Sequence, residues 1–95
     1  MSAQDALLGW DERANAELYA AFTRQFPMYG ATSRHLVERT SLTDSRLVVD
    51  LCGGTGITAE AILEAALPDT RVISLDNSAA MQQVGKETVR DPRVA

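Results

Sequence analysis

Asp50, the glycines Gly53, Gly54 and Gly56, and Asp76 are the residues of this sequence whose types and spacing can do chemistry. Three glycines fall within residues 52–56, directly after Asp50 and Leu51. With no Cβ in the way, such a turn lets a ligand approach the backbone closely. If a helix follows, its first N–H groups have no partner in the helix and point at that ligand. A pyrophosphate is the usual guest of such donors. Here the spacing is not G-x-G-x-x-G, and the Asp50 carboxylate beside the turn repels a phosphate. A cationic group suits that acid better. Twenty residues beyond Gly56 comes Asp76, whose two carboxylate oxygens can accept both hydroxyls of a ribose. A nucleoside with a positively charged tail and no phosphate satisfies both acids.

These groups need elements to hold them. Leu47, Val48, Val49, Asp50 and Leu51 form a short apolar run without alternation, which suits a parallel strand covered on both faces. Residues 57–67 carry Ala59, Ala61, Ile62, Ala65 and Ala66 and predict a helix stopped by Pro68. Residues 71–75 predict a second strand, again ending in an acid. Ser78 can cap a third pattern over 79–89, with Met81 and Val84 on one side and Gly85 weakening it. Asp91 and Pro92 read as a turn into another strand. Upstream, Ala14, Leu18, Ala21, Phe22 and Phe26 recur at steps of three and four and predict a helix over 11–26, with Leu18, Phe22 and Phe26 in the core. Pro27 ends it, Gly30 opens a break, and Thr32 or Ser33 caps a second helix carrying His35, Leu36 and Val37. The expected fold is α/β. A helical segment occupies residues 1–45. Residues 46–95 open a doubly wound parallel sheet as strand, glycine turn, helix, strand, helix, and leave the sheet incomplete.

The stretch 47–94 resembles the cofactor-binding half of the class I S-adenosylmethionine-dependent methyltransferases, which have a Rossmann-like sheet. The glycine motif of that family is an acid, an apolar residue, Gly, Cys, Gly, Thr, Gly. Asp50-Leu51-Cys52-Gly53-Gly54-Thr55-Gly56 matches it at five positions and exchanges Gly and Cys. Val72-Ile73-Ser74-Leu75-Asp76-Asn77-Ser78, followed by Met81, is similar to the second strand of the family. The resemblance implies S-adenosyl-L-methionine as cofactor and S-adenosyl-L-homocysteine as product. It implies that Asp50 meets the amino-acid end of the cofactor, and that Leu51, Cys52, Gly53, Gly54 and Gly56 form the turn under that tail. Asp76 would take the ribose, with Asn77 and Met81 flanking the adenine; Asn77 stands where an apolar residue is usual. The helical segment would be the lid. Tyr29 is a candidate to cover the carboxylate end of the cofactor, and equally a packing residue. The implied reaction is in-line attack of a substrate nucleophile on the methyl carbon, toward a small-molecule acceptor, with no protein nucleophile. The competing reading is a non-catalytic cofactor-binding or interaction module, or a subunit of a split enzyme.

Composition narrows the rest. Lys plus Arg number 9 and Asp plus Glu 13, a net charge of −4 with no basic cluster, which disfavours nucleic acid. Cys52 is the one cysteine, so neither an intrachain disulfide nor a cysteine-built zinc site is expected, and no metal site is read. No apolar run has the roughly 18 residues of a membrane span, and residues 1–10 lack the positive start of a secretory signal. The expectation is a cytoplasmic protein. His35 is a base or a surface residue, and Cys52 a reactive thiol or a space filler. Trp10 is a packing anchor or a substrate contact. The first strand lacks a neighbour on one edge, so a homo-oligomer or a complementary chain completing the sheet is expected.

Overall fold

The computed structural model describes residues 9–95. Residues 1–10, read for a secretory start, and the beginning of the helical segment 1–45 lie partly outside this range. In chain order the elements are α1 (Arg13–Gln25), α2 (Pro27–Glu38), β1 (Leu47–Leu51), α3 (Ile57–Ala65), β2 (Arg71–Leu75) and α4 (Ala79–Thr88).

β1 and β2 pair in parallel, with Leu47 opposite Arg71 and Leu51 opposite Leu75. Helix α3 is the crossover between them. It stops at Ala65 because Ala66 is already extended, at φ −79° and ψ 162°, on the approach to Pro68. After α4 the chain returns to the sheet. Val94 bridges in parallel to Val72, with Val72 N–H donating to Arg93 O (2.8 Å) and Ala95 N–H to Val72 O (2.9 Å). Thus β2 has neighbours on both edges, while the outer edge of β1 has none among the described residues. This is an incomplete Rossmann-like α/β arrangement preceded by helices.

One face of the sheet is covered. Val72 is fully buried and packs with Val37, Ala59, Ala61 and Ile62, with Val48 and Val94 at the margin. Helix α4 lies on the same side, where Val89 and Gln82 meet Ser74, Ala59 and Val94 around a small gap. The other face is bare: Leu47, Val49 and Leu51 are 58%, 52% and 74% exposed, and Leu75 is exposed beside them. Cover on both faces, expected from the unbroken apolar run, is therefore absent among the described residues. An apolar run reports that both sides can be buried, not that both covering layers are at hand.

Two expectations for the helices are corrected. Leu18, Phe22 and Phe26 do not form the core face of α1, since all three are exposed. The buried face is Ala16, Ala20 and Thr23, and Ala16 and Ala20 cluster with Met81 and Val84 of α4. Small residues let the two helices approach closely, which outweighs the larger apolar stripe. Nor does Gly30 break the chain. Pro27 is the first residue of α2, where its fixed φ is already helical and its missing N–H is not needed. Phe26, held extended before the proline, is the N-cap. Helix α2 packs on α3, with the Ser33 and Thr58 hydroxyls 3.0 Å apart, and α1 packs on α4. No helix of the described residues is long and apolar enough to cross a membrane.

Candidate functional site

The turn after β1 is built by residues in a conformation L side chains avoid. Cys52, Gly54 and Gly56 have φ of 60°, 56° and 94°. Gly53 N–H donates to Leu75 O (2.8 Å), which carries the strand pairing two residues past β1. Gly56 N–H donates to Gly53 O (3.0 Å) and closes the turn, and Glu60 N–H donates to Gly56 O (2.9 Å), the first bond of α3. Each glycine has its own reason. A Cβ on Gly53 would collide with Ser74 Oγ and stand 2.8 Å from Asp50 Oδ2. One on Gly56 would stand 2.7 Å from Val89 Cγ2. One on Gly54 would meet only Tyr19 Cε1, at 3.7 Å, across open space. Cys52 holds its positive φ with a side chain, at a cost of about 1–2 kcal/mol, where the motif it resembles carries glycine.

Asp76 follows β2 and ties the two strand ends together. Its Oδ2 accepts from Gly54 N–H (3.0 Å) and its Oδ1 from Ser78 N–H (2.9 Å). Each oxygen keeps a lone pair for another donor. Ser78 caps α4 by accepting from Met81 N–H (3.1 Å), as its sequence position suggested. Its hydroxyl also lies 3.1 Å from Trp10 O and 3.0 Å from Asp11 Oδ1. Asp11 Oδ1 accepts from Ala80 N–H (3.1 Å) as well, and these donors hold its carboxyl below the ordinary value. The segment before α1 is thereby fastened over the start of α4.

Around these bonds lies a hollow of about 360 Å³, lined by Trp10, Tyr19, Cys52, Gly54, Asp76, Asn77, Ser78 and Met81. That is the size of a small-molecule site. Five residues expected from sequence therefore meet here: Cys52, Gly54, Asp76, Asn77 and Met81. Gly53 and Gly56 shape the turn from behind, and Leu51 points to the bare sheet face. Tyr29 does not line the hollow; its ring packs on Phe22, with centroids 5.5 Å apart, between α1 and α2. Tyr19 and Trp10 form the wall instead, ring edge to ring face at 5.6 Å. Sequence reasoning overlooked Tyr19, which sits beside the buried Ala20 on α1 and so at the margin of the face that meets α4. His35 is exposed on α2, and the described residues hold no cluster of metal-binding side chains.

Asp50 sits behind the turn. Its Oδ2 is buried without a hydrogen-bond partner. Burial first, and the charge of Asp76 second, push its carboxyl above the ordinary value of 3.8. A cationic group brought close would restore the charged form. Asp50→Asn is expected to raise the melting temperature of the ligand-free chain at neutral pH, because it removes a half-buried charge that burial and Asp76 disfavour. A raised folded value means that Asp50 favours folding below its unfolded value near 3.8 and loses that contribution as pH rises through the folded value. The advantage of the variant should therefore shrink as the pH is lowered toward 4. Thermal melts across pH decide this, and a variant no more stable than the parent at neutral pH contradicts it.

Comparison with known proteins adds the family. The chain matches the ubiE/COQ5 methyltransferase family over residues 29–95. No curated protein matches it. Among solved structures it is similar to a chain of the complex between the Haloferax volcanii Trm112 methyltransferase activator and the protein described as its methyltransferase. The identity is 25% and the TM-score 0.60, over 67% of this chain and 28% of that one. This sequence thus spans under a third of the length of the relative it matches. The matched residues contain β1, the glycine turn, Asp76 and both crossover helices, and the chain belongs to the ubiE/COQ5 methyltransferase family.

Proposed function

We propose that the hollow receives the adenosine part of S-adenosyl-L-methionine, and that the protein carrying this chain transfers a methyl group to a small-molecule acceptor. The carrying observation is the pair of acids at the ends of two adjacent parallel strands, Asp50 with an unpartnered buried oxygen and Asp76 with lone pairs toward the hollow. The residues fit the cofactor. Asp76 can accept ribose hydroxyls, Asn77 and Met81 flank the space for a base, and Gly54 leaves the backbone open beside it. Asp50 stands behind the turn as the counter-charge for a cationic amino-acid end. When bound, the cofactor supplies an activated methyl group on a positively charged sulfur. The contribution of this chain is to bind and orient, which by itself lowers a displacement barrier substantially.

Calorimetric titration with S-adenosylhomocysteine tests the reading, with NAD as competitor. Binding of the thioether, undisturbed by NAD at comparable concentration, is expected, because Asp50 repels a pyrophosphate at the turn. Displacement by NAD would favour a dinucleotide site.

We also infer that the bare sheet face and the open edge of β1 are covered by further polypeptide. Leu47, Val49, Leu51 and Leu75 make an apolar sheet face open to water, and β1 offers an unpaired edge next to it. The structural neighbour is described in complex with an activator protein. Here the cover is polypeptide that adds strands beside β1. In sedimentation the purified chain should associate at micromolar concentration, and Leu51→Lys with Val49→Lys should shift it toward monomer. A well-folded monomeric parent that methylates an acceptor unaided would overturn the inference.

A further inference from the structure

Arg24 makes the densest set of polar contacts of any side chain near the turn, and nothing in the cofactor reading uses it. It projects from the last turn of α1 into the angle between the glycine turn and α3. Its Nη2 donates to Thr55 O (3.0 Å) and to Glu60 Oε1 (2.9 Å). Its Nη1 donates to Ala20 O (3.2 Å) and reaches Thr55 Oγ1 at 3.4 Å. The Arg24 side chain is three-quarters buried, with an exposure of 25%. Thr55 itself is 1% exposed.

The peptide between Thr55 and Gly56 is the one that most needs such a hold. Glycine at φ 94° can exchange to the mirror conformation at little steric cost, and a peptide flanked by it turns over easily. In this structure both ends of that peptide are fixed. Gly56 N–H is taken by Gly53 O at 3.0 Å, and Thr55 O by Arg24. The planar fork serves Thr55 and Glu60 at once, which a single ammonium does with poorer geometry. The same contact sets the distance between α1, which carries Tyr19, and the turn, which carries Gly54; these two face each other across the hollow.

We propose that Arg24 is a positioning residue for the site: by clamping Thr55 O it fixes the orientation of the glycine turn and the spacing of the hollow between Gly54 and Tyr19. The inference rests on the cofactor reading for its consequence in binding, but its structural part can be read without ligand. Arg24→Ala, Arg24→Lys and, as a packing control, Val84→Ala are compared with the parent. Val84 belongs to the cluster that joins α1 to α4, is not bonded to Thr55 or Glu60, and does not line the hollow.

Two readouts are taken below the melting temperature of every variant. In the ligand-free chain with ¹⁵N-glycine, the Gly54 and Gly56 amide signals should shift or broaden in Arg24→Ala and stay near the parent positions in Val84→Ala. In titration with S-adenosylhomocysteine, Arg24→Ala should bind about tenfold more weakly and Arg24→Lys should recover part of that loss. Val84→Ala, though less stable, should stay within about threefold of the parent. Unmoved glycine signals in Arg24→Ala overturn the proposal. So does a Val84→Ala loss as large as that of Arg24→Ala. If the parent binds no S-adenosylhomocysteine, the cofactor reading fails, and the glycine signals still decide the role of Arg24.

Discussion

Gly54→Val is expected to abolish S-adenosylhomocysteine binding while leaving the helical circular dichroism in place. Two effects act together. At φ 56° a β-branched side chain costs about 1–2 kcal/mol in the folded chain. The added Cβ also heads across the hollow toward Tyr19, 3.7 Å from Cε1, so the two methyl groups beyond it occupy space meant for ligand. Gly54→Ala separates the two effects. A single methyl fits in ordinary contact with Tyr19, so alanine should carry most of the backbone cost and little of the blockage. We expect valine to weaken binding at least about 100-fold and alanine roughly tenfold or less. Parent-like affinity in the valine variant would reduce the turn to a connector between β1 and α3.

Asp76→Ala should weaken the same titration by roughly 10- to 100-fold, the effect of losing about 1.5–3 kcal/mol of charge-assisted hydrogen bonds. It should also lower the melting temperature of the ligand-free chain. The carboxylate holds Gly54 N–H with one oxygen and Ser78 N–H with the other, so its removal frees one backbone donor in the glycine turn and one at the start of α4. Asp76→Asn is not a gentle substitute. Whichever way the amide turns, its NH2 faces one of those two N–H groups, donor against donor. A folded Asp76→Ala chain with parent-like affinity would remove Asp76 from the ribose.

What the sequence made legible divides along a physical line. β1 and β2 have the limits their apolar runs suggested, and Ser78 caps α4, because these are local properties of strand runs and hydroxyl caps. The three glycines announced a turn for the same reason. Pro27 ends α1 as expected, but Gly30 misled, because the proline is also an ideal first residue for a helix that runs on through the glycine. The stripe of Leu18, Phe22 and Phe26 misled because periodicity finds an apolar face, not the face a neighbour chooses. The neighbour chose Ala16 and Ala20, where Met81 and Val84 come closest. Tyr19 and Arg24 were silent in the sequence, and Trp10 was left between a packing anchor and a substrate contact. Each joins the site through a contact over 30 or more positions along the chain, as Ser78 does with Trp10 and Thr55 with Arg24.

The bare sheet face and the open edge of β1 are one deficit rather than two, and handedness is the reason. A crossover between parallel strands is almost always right-handed. Moving from β1 to β2 and on to Val94 keeps one direction of travel across the sheet, so α3 and α4 both fall on the Val48–Val72 side. Any further strand added in that direction would bring its helix to the side already covered. A right-handed crossover reaches the Leu47–Val49–Leu51 side only by travelling the opposite way, outward past β1. Whatever polypeptide shields those leucines by such crossovers therefore also supplies the strand beside β1. The glycine turn then lies where the winding reverses, between two sets of crossovers that diverge from it.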